Sequence, residues 1–142
     1  MKYLLVVLLS VITVGQVFSQ DCERILENCE KLLTKNTNGS EFISDGQVYT
    51  AFLDRNQEAV FQTTFFGGST YRIAASAGDD EDFVIFTIKD PKGQILFSNK
   101  NYRNAPYWDF KINETLPVTI ITELDPDLKV TGCAIMLIGF KK

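Results

Sequence analysis

The side chains able to do chemistry in this sequence are carboxylates, aromatics and three cysteines, and no histidine exists anywhere to work with them. That zero removes Ser-His-Asp and Cys-His nucleophilic catalysis and the histidine-bearing zinc and iron sites. The densest acidic group is Asp79-Asp80-Glu81-Asp82, four carboxylates in one predicted loop. Hard oxygen ligands at that density suit calcium, with Asp79, Asp80 and Asp82 as its ligands. The spacing is not that of an EF-hand, and the competing reading is a solvated turn. Asp125-Pro126-Asp127 is a weaker version of the same pattern. Paired carboxylates can also run glycoside hydrolysis, but they need to stand about 5 to 10 Å apart across a sugar-sized cleft, for which a chain this short has little room. No other cofactor is expected.

The most unusual stretch is Asn99 to Phe110, NKNYRNAPYWDF. Aromatics beside polar donors make sugar-binding and peptide-binding surfaces, which nominates Tyr102, Arg103 and Tyr107 as ligand contacts. Trp108 and Phe110 share a strand face and are expected to fill the core. Gly67-Gly68-Ser69 is read as a β-turn, since no helix or Lys-Ser/Thr follows it. Asn38-Gly39-Ser40 and Asn113-Glu114-Thr115 are formal glycosylation sequons, which matter only in a eukaryotic secretory pathway.

Cys22, Cys29 and Cys133 gain meaning from the N-terminus. Lys2 precedes a nearly unbroken apolar run from Tyr3 to Val14, and Val17-Phe18-Ser19 offers a cleavage site. The run is shorter than the roughly 20 residues of a membrane span, so residues 1–19 are expected to be a signal peptide and no span to remain after processing. A lipid anchor would need a cysteine at the cleavage point, whereas Cys22 follows Ser19-Gln20-Asp21. A retained anchor or core helix is the other reading of the run. The expected location is periplasmic or extracellular, an oxidising setting in which cysteines pair.

Those groups must be positioned by a fold. Cys22, Ile25, Leu26, Cys29, Leu32 and Leu33 recur at three and four residues, drawing one apolar stripe along a helix from Asp21 to Thr34. Cys22 and Cys29 lie two turns apart, roughly 10 Å along the axis, too far to bond each other. One of them is expected to bond Cys133 and staple the helix to the last strand; three buried thiols are the alternative. After a polar linker ending at Asp45 the period becomes two. Strands are expected at 47–53, 58–66, 70–77, 82–89, 94–98, 107–112, 118–124 and 132–140. Asp90-Pro91-Lys92-Gly93 has the chemistry of a hairpin turn. Eight short strands without intervening helices predict a mostly β chain, an antiparallel, jelly-roll-like sandwich over residues 46–142, with residues 20–45 forming the helix and linker. The strand from Gly132 is apolar on both faces, so it should be central, with the helix as its cover.

The order of Gly46-Gln47-Val48-Tyr49, Thr64-Phe65-Phe66-Gly67-Gly68-Ser69-Thr70-Tyr71-Arg72-Ile73-Ala74, Tyr107-Trp108-Asp109-Phe110 and Gly132-Cys133-Ala134 through Leu137-Ile138-Gly139-Phe140-Lys141 resembles a family of small exported proteins of Gram-negative bacteria that has no assigned activity. A more distant similarity, in Tyr71-Arg72-Ile73, the acidic loop and Asp90-Pro91-Lys92-Gly93, is to the bacterial pre-peptidase C-terminal domain. It implies a β-sandwich used for targeting or substrate binding, sometimes carrying calcium.

The net charge of −4 over 142 residues argues against nucleic acid or an anionic membrane, which call for clustered Lys and Arg. The expected function is non-catalytic: a binding or accessory module for an envelope or extracellular protein or polysaccharide. A structural component of the envelope, assembled through a strand edge or the leftover cysteine, is the alternative, and a carboxylate hydrolase the least favoured.

Overall fold

The computed structural model describes residues 15–35, 41–78 and 83–141. The apolar run up to residue 14, the sequon at Asn38 and the acidic loop Asp79–Asp82 lie outside the described residues. Helix α1 spans Gly15–Thr34 and is followed by strands β1 (Ile43–Ser44), β2 (Tyr49–Leu53), β3 (Glu58–Phe65), β4 (Ser69–Ser76), β5 (Val84–Lys89) and β6 (Ile95–Ser98). A single 3₁₀ turn at Asn99–Tyr102 then leads to β7 (Tyr107–Ile112), β8 (Leu116–Leu124) and β9 (Gly132–Lys141).

The strands form two sheets, every pairing antiparallel. In the first, β1 and β2 share one edge of β9, and the order continues through β4 to β7. In the second the order is β3-β8-β5-β6. Their inner faces meet in one apolar layer that includes Ile73, Phe86, Ile120, Met136 and Ile138. The chain is therefore mostly β and sandwich-like, as its period-two segments predict. The hairpin between β5 and β6 closes on Asp90: its carbonyl accepts from Gly93 N at 3.0 Å, and its carboxylate accepts from Lys92 N and Gln94 N. Gly93 sits at φ +81°, where a side chain would be strained.

Strand β9 is central and buried on both faces. Ala134, Met136 and Ile138 face the sandwich, while Cys133, Ile135 and Leu137 form a second core with Ile25, Cys29, Leu32 and Leu33 of α1. The helical stripe thus has a destination, and each large aliphatic side chain buried there contributes about 1.5–3 kcal/mol before ordering costs. Cys22 is bonded to Cys133, with Cα atoms 5.8 Å apart. Cys29 is the free cysteine, and its thiol donates to the carbonyl of Ala74 at 3.2 Å. Two differences from expectation stand out. The helix begins at Gly15, ahead of the expected cleavage point, and β1 lies in the segment read as linker. Two residues are too short to show a period, and β1 forms because β9 extends to Lys141 and offers a free edge at Gly139 and Phe140.

At the C-terminal end of α1 the helix carbonyls meet the guanidinium of Arg72, a fully buried residue on β4. Its Nη1 donates to the carbonyls of Leu32 (3.4 Å) and Leu33 (3.2 Å) in the last helical turn, where carbonyls lack intrahelical donors, and to that of Lys35 (2.6 Å) just beyond it. Its Nε and Nη2 donate to the two carboxylate oxygens of Asp109, across on β7, at 2.6 and 2.9 Å. The guanidinium stacks between the rings of Phe42 and Tyr107, at 4.2 and 4.6 Å. On the other flank Arg72 pairs with Gly139 of β9. A Cβ there would approach the Leu33 side chain to 2.8 Å, so glycine is what lets the helix end come this close.

Non-reducing peptide mapping should recover Cys22 linked to Cys133 and Cys29 unmodified; a Cys29–Cys133 peptide would contradict the packing. Burial pushes the Cys29 thiol from 9.0 up to about 12. Below pH 9 both the folded and unfolded forms keep this proton; between pH 9 and 12 the unfolded chain releases it while the fold retains it, so stability falls as pH rises. Cys29→Ala should flatten that decline in urea-unfolding curves taken from pH 8.5 to 11.

Candidate functional site

The loop from Asn99 to Pro106 joins β6 to β7, the edge strands of the two sheets on one side of the sandwich. Asn99, fully buried, holds the loop by continuing the β5–β6 pairing with its side chain. Its Oδ1 accepts from Phe86 N at 2.8 Å, and its Nδ2 donates to the carbonyls of Val84 (2.9 Å) and Ala105 (3.1 Å). Its own carbonyl accepts from Asn104 N at 3.0 Å. Arg103 and Asn104 then take left-handed backbone angles, φ 56° and 53°. Asn tolerates that region, whereas for Arg103 it costs about 1–2 kcal/mol. Such strain persists only where the surroundings fix it, and here Asn104 Nδ2 also donates to Asp125 at 2.7 Å.

The loop presents Tyr102, half exposed, over an aromatic group that fills the gap between the two sheet edges. The Tyr102 ring lies 4.4 Å from that of Trp108 and stacks on Phe97 at 5.5 Å, nearly parallel. Phe97 in turn meets Trp108 at 5.1 Å and Phe110 edge-on at 4.9 Å. One side of Tyr102 is thus supported by protein and the rest is open, with the exposed side chains of Lys100, Asn101 and Arg103 beside it. Trp108 continues the surface into a shallow hollow of about 540 Å³ along the outer edge of β7, which Ala105, Pro106, Tyr107 and Asp109 complete.

Of the three expected ligand contacts, Tyr102 and Arg103 sit together on the loop, whereas Tyr107 borders the hollow beside Trp108 and turns its ring to the helix face. Alternation along β7 sends Trp108 and Phe110 to the sandwich core and Tyr107 to the opposite face, against α1. There it packs on Arg72, and Lys35 Nζ stands 5.7 Å from its ring. Phe97 and Asn99 were not nominated from the sequence. The first reads as an ordinary strand aromatic, and the second as one amide among several. Asp125 is engaged by Asn104 instead of facing an open cleft, and among the described residues no group of three or more Cys, Asp or Glu side chains could hold a metal.

No known family model matches the chain, and no curated protein matches it significantly.

Replacing Asn99 with Ala would strip the buried Phe86 N–H and Val84 carbonyl of their partners, at a cost of about 2–3 kcal/mol. Urea unfolding should show that loss, together with a red shift in the native emission of Trp108, the sole tryptophan. Asn101→Ala, at an exposed neighbour, should do neither, and an equally stable Asn99→Ala protein would refute the anchoring role.

Proposed function

We propose that this chain is an exported, non-catalytic binding module that holds a polysaccharide against Tyr102, with Trp108 extending the platform and Arg103 supplying hydrogen bonds to hydroxyl or carboxylate groups. The observation that carries this reading is a half-exposed tyrosine, backed by Trp108 and Phe97, on a loop locked by a buried asparagine and strained at Arg103. A rigid aromatic face lowers the entropic cost of binding a sugar ring, because the Tyr102 backbone and its supporting rings are already ordered. The strand orders β2-β9-β4-β7 and β3-β8-β5-β6 support a jelly-roll arrangement, an architecture found in lectin domains. Export is supported by the Cys22–Cys133 bond and by the apolar run after Lys2. The motif resemblance to small exported proteins points the same way. The site is read as binding instead of hydrolytic because glycoside cleavage needs two carboxylates flanking the sugar, whereas of the residues lining the hollow only Asp109 carries one and Arg72 holds it.

A glycan array probed with the processed protein tests the reading. Tyr102→Ala should weaken the strongest hits at least tenfold, corresponding to about 1.4 kcal/mol, with Tm changed little because half of the ring is already in solvent. Binding that is indifferent to both Tyr102→Ala and Arg103→Ala, or no binding to any glycan, would rule the site out.

A further inference from the structure

On the opposite side of the molecule, α1 covers β9 and β4 but stops short of β2, leaving a trough between the helix flank and the sheet edge. The trough consists of two hollows, about 540 and 460 Å³, joined at Val48. Its floor is apolar at the Cys22 end, whereas Thr34, Ser44 and Gln47 share the lining of the other hollow with Leu33, Phe42 and Leu137. The outer face of β2 places Phe52 beside Cys133 and Thr50 beside Ile135, with Leu26 and Leu33 along the foot of the helix. Phe52 is 61% exposed and Val48 51%, a large apolar area for a chain with a sequence pI near 4.8. The far edge of β2 has no strand partner among the described residues.

The helix wall is charged. Glu23, Glu27 and Glu30 follow one another at i, i+4 and i+7, so their carboxylates line the flank that overlooks the trough. Among the described residues none of the three forms an ion pair. Neighbouring like charges on a helix are mutually destabilising, and among the residues lining the two hollows only Lys31, one turn after Glu27, brings a positive charge to the same wall. An apolar floor beside a wall of three carboxylates and one ammonium, net −2, complements a segment that alternates apolar with basic side chains.

We infer that this trough is a second binding site, for an extended peptide segment of another protein. Its apolar side chains seat on Val48, Phe52 and Leu26, and its Lys or Arg side chains meet Glu23, Glu27 and Glu30. The site is separate from the Tyr102 platform and does not depend on it, so the module would hold a polysaccharide on one side and a protein on the other.

The test uses the processed protein and fluorescein-labelled octapeptides, read by anisotropy at low and at physiological salt. A peptide of alternating Val and Lys should bind; alternating Val and Glu should not, and alternating Ser and Lys should bind at least tenfold more weakly. The triple variant Glu23→Gln/Glu27→Gln/Glu30→Gln should weaken the Val/Lys peptide about tenfold, the loss of three rim charge pairs, and Phe52→Ser should do so at either salt concentration. All of these side chains are exposed, and unchanged far-UV circular dichroism and Tm would show that the variants fold. Failure of the Val/Lys peptide to bind, equal binding of the Ser/Lys peptide, or full affinity in the triple variant would overturn the inference. So would a dimer in sedimentation velocity that dissociates on Phe52→Ser, because the trough would then belong to a second copy of the chain.

Discussion

A single buried cation organises one whole side of this protein. Arg72 lies in the middle of β4 with no exposed surface, where an unpaired charge would cost several kcal/mol. It is compensated by the Asp109 carboxylate, by the Leu32 and Leu33 carbonyls of the last helical turn, by the Lys35 carbonyl just after it and by two aromatic faces. The partners come from three parts of the chain: Asp109 and Tyr107 from β7, Leu32 and Leu33 from the helix end, and Lys35 and Phe42 from the segment between the helix and β1. The guanidinium is a planar fork with five donors, which is why one residue can answer a carboxylate and a helix end together. A lysine in its place would reach one or the other.

The helix is attached at two points by different chemistry. The Cys22–Cys133 bond fixes its third turn to the start of β9, and Arg72 fixes its last turn near Gly139, close to the end of β9. Between the two, Ile25, Cys29, Leu32 and Leu33 lie on Ala74, Ile135 and Leu137. That placement decides what remains open. The apolar stripe is consumed, the glutamate flank is turned toward β2, and Tyr107 is drawn to the helix side, leaving Tyr102 and Trp108 as the aromatic surface at the opposite sheet edge. Asn99 does for the β6–β7 loop what Arg72 does for the helix: a buried polar group with its bonding capacity met holds an otherwise irregular segment in one conformation.

Local patterns were readable wherever the cause was local. The strand at Tyr107–Ile112 coincides end to end with its predicted range, because its alternation is bounded by a proline before it and an Asn-Glu-Thr turn after it. The helix stripe and the Asp90 turn were legible for the same reason. The choice between Cys22 and Cys29 was not, since both lie on one helix face and the answer depends on how the helix is set along β9. Arg72 was hidden more deeply. An arginine among strand residues reads as a solvent-facing one, and its partners are separated from it by 37 to 40 positions in sequence. Tyr107's turn to the helix face follows from the same alternation that sends Trp108 and Phe110 inward, whereas the placement of Tyr102 depends on a 3₁₀ turn and two left-handed residues, one an arginine, and no local sequence signal announces φ > 0 at Arg103.

Hydrogen exchange of Arg72→Met against the unaltered protein tests the central claim most directly, with amide protection followed residue by residue. If Arg72 ties the helix end to the sheet, the amides of Glu30 to Thr34 should lose at least tenfold of their protection, about 1.4 kcal/mol, while those of β3 and β8 in the far sheet lose much less. Unchanged protection at the end of α1 would contradict the account, as would a uniform loss across helix and both sheets.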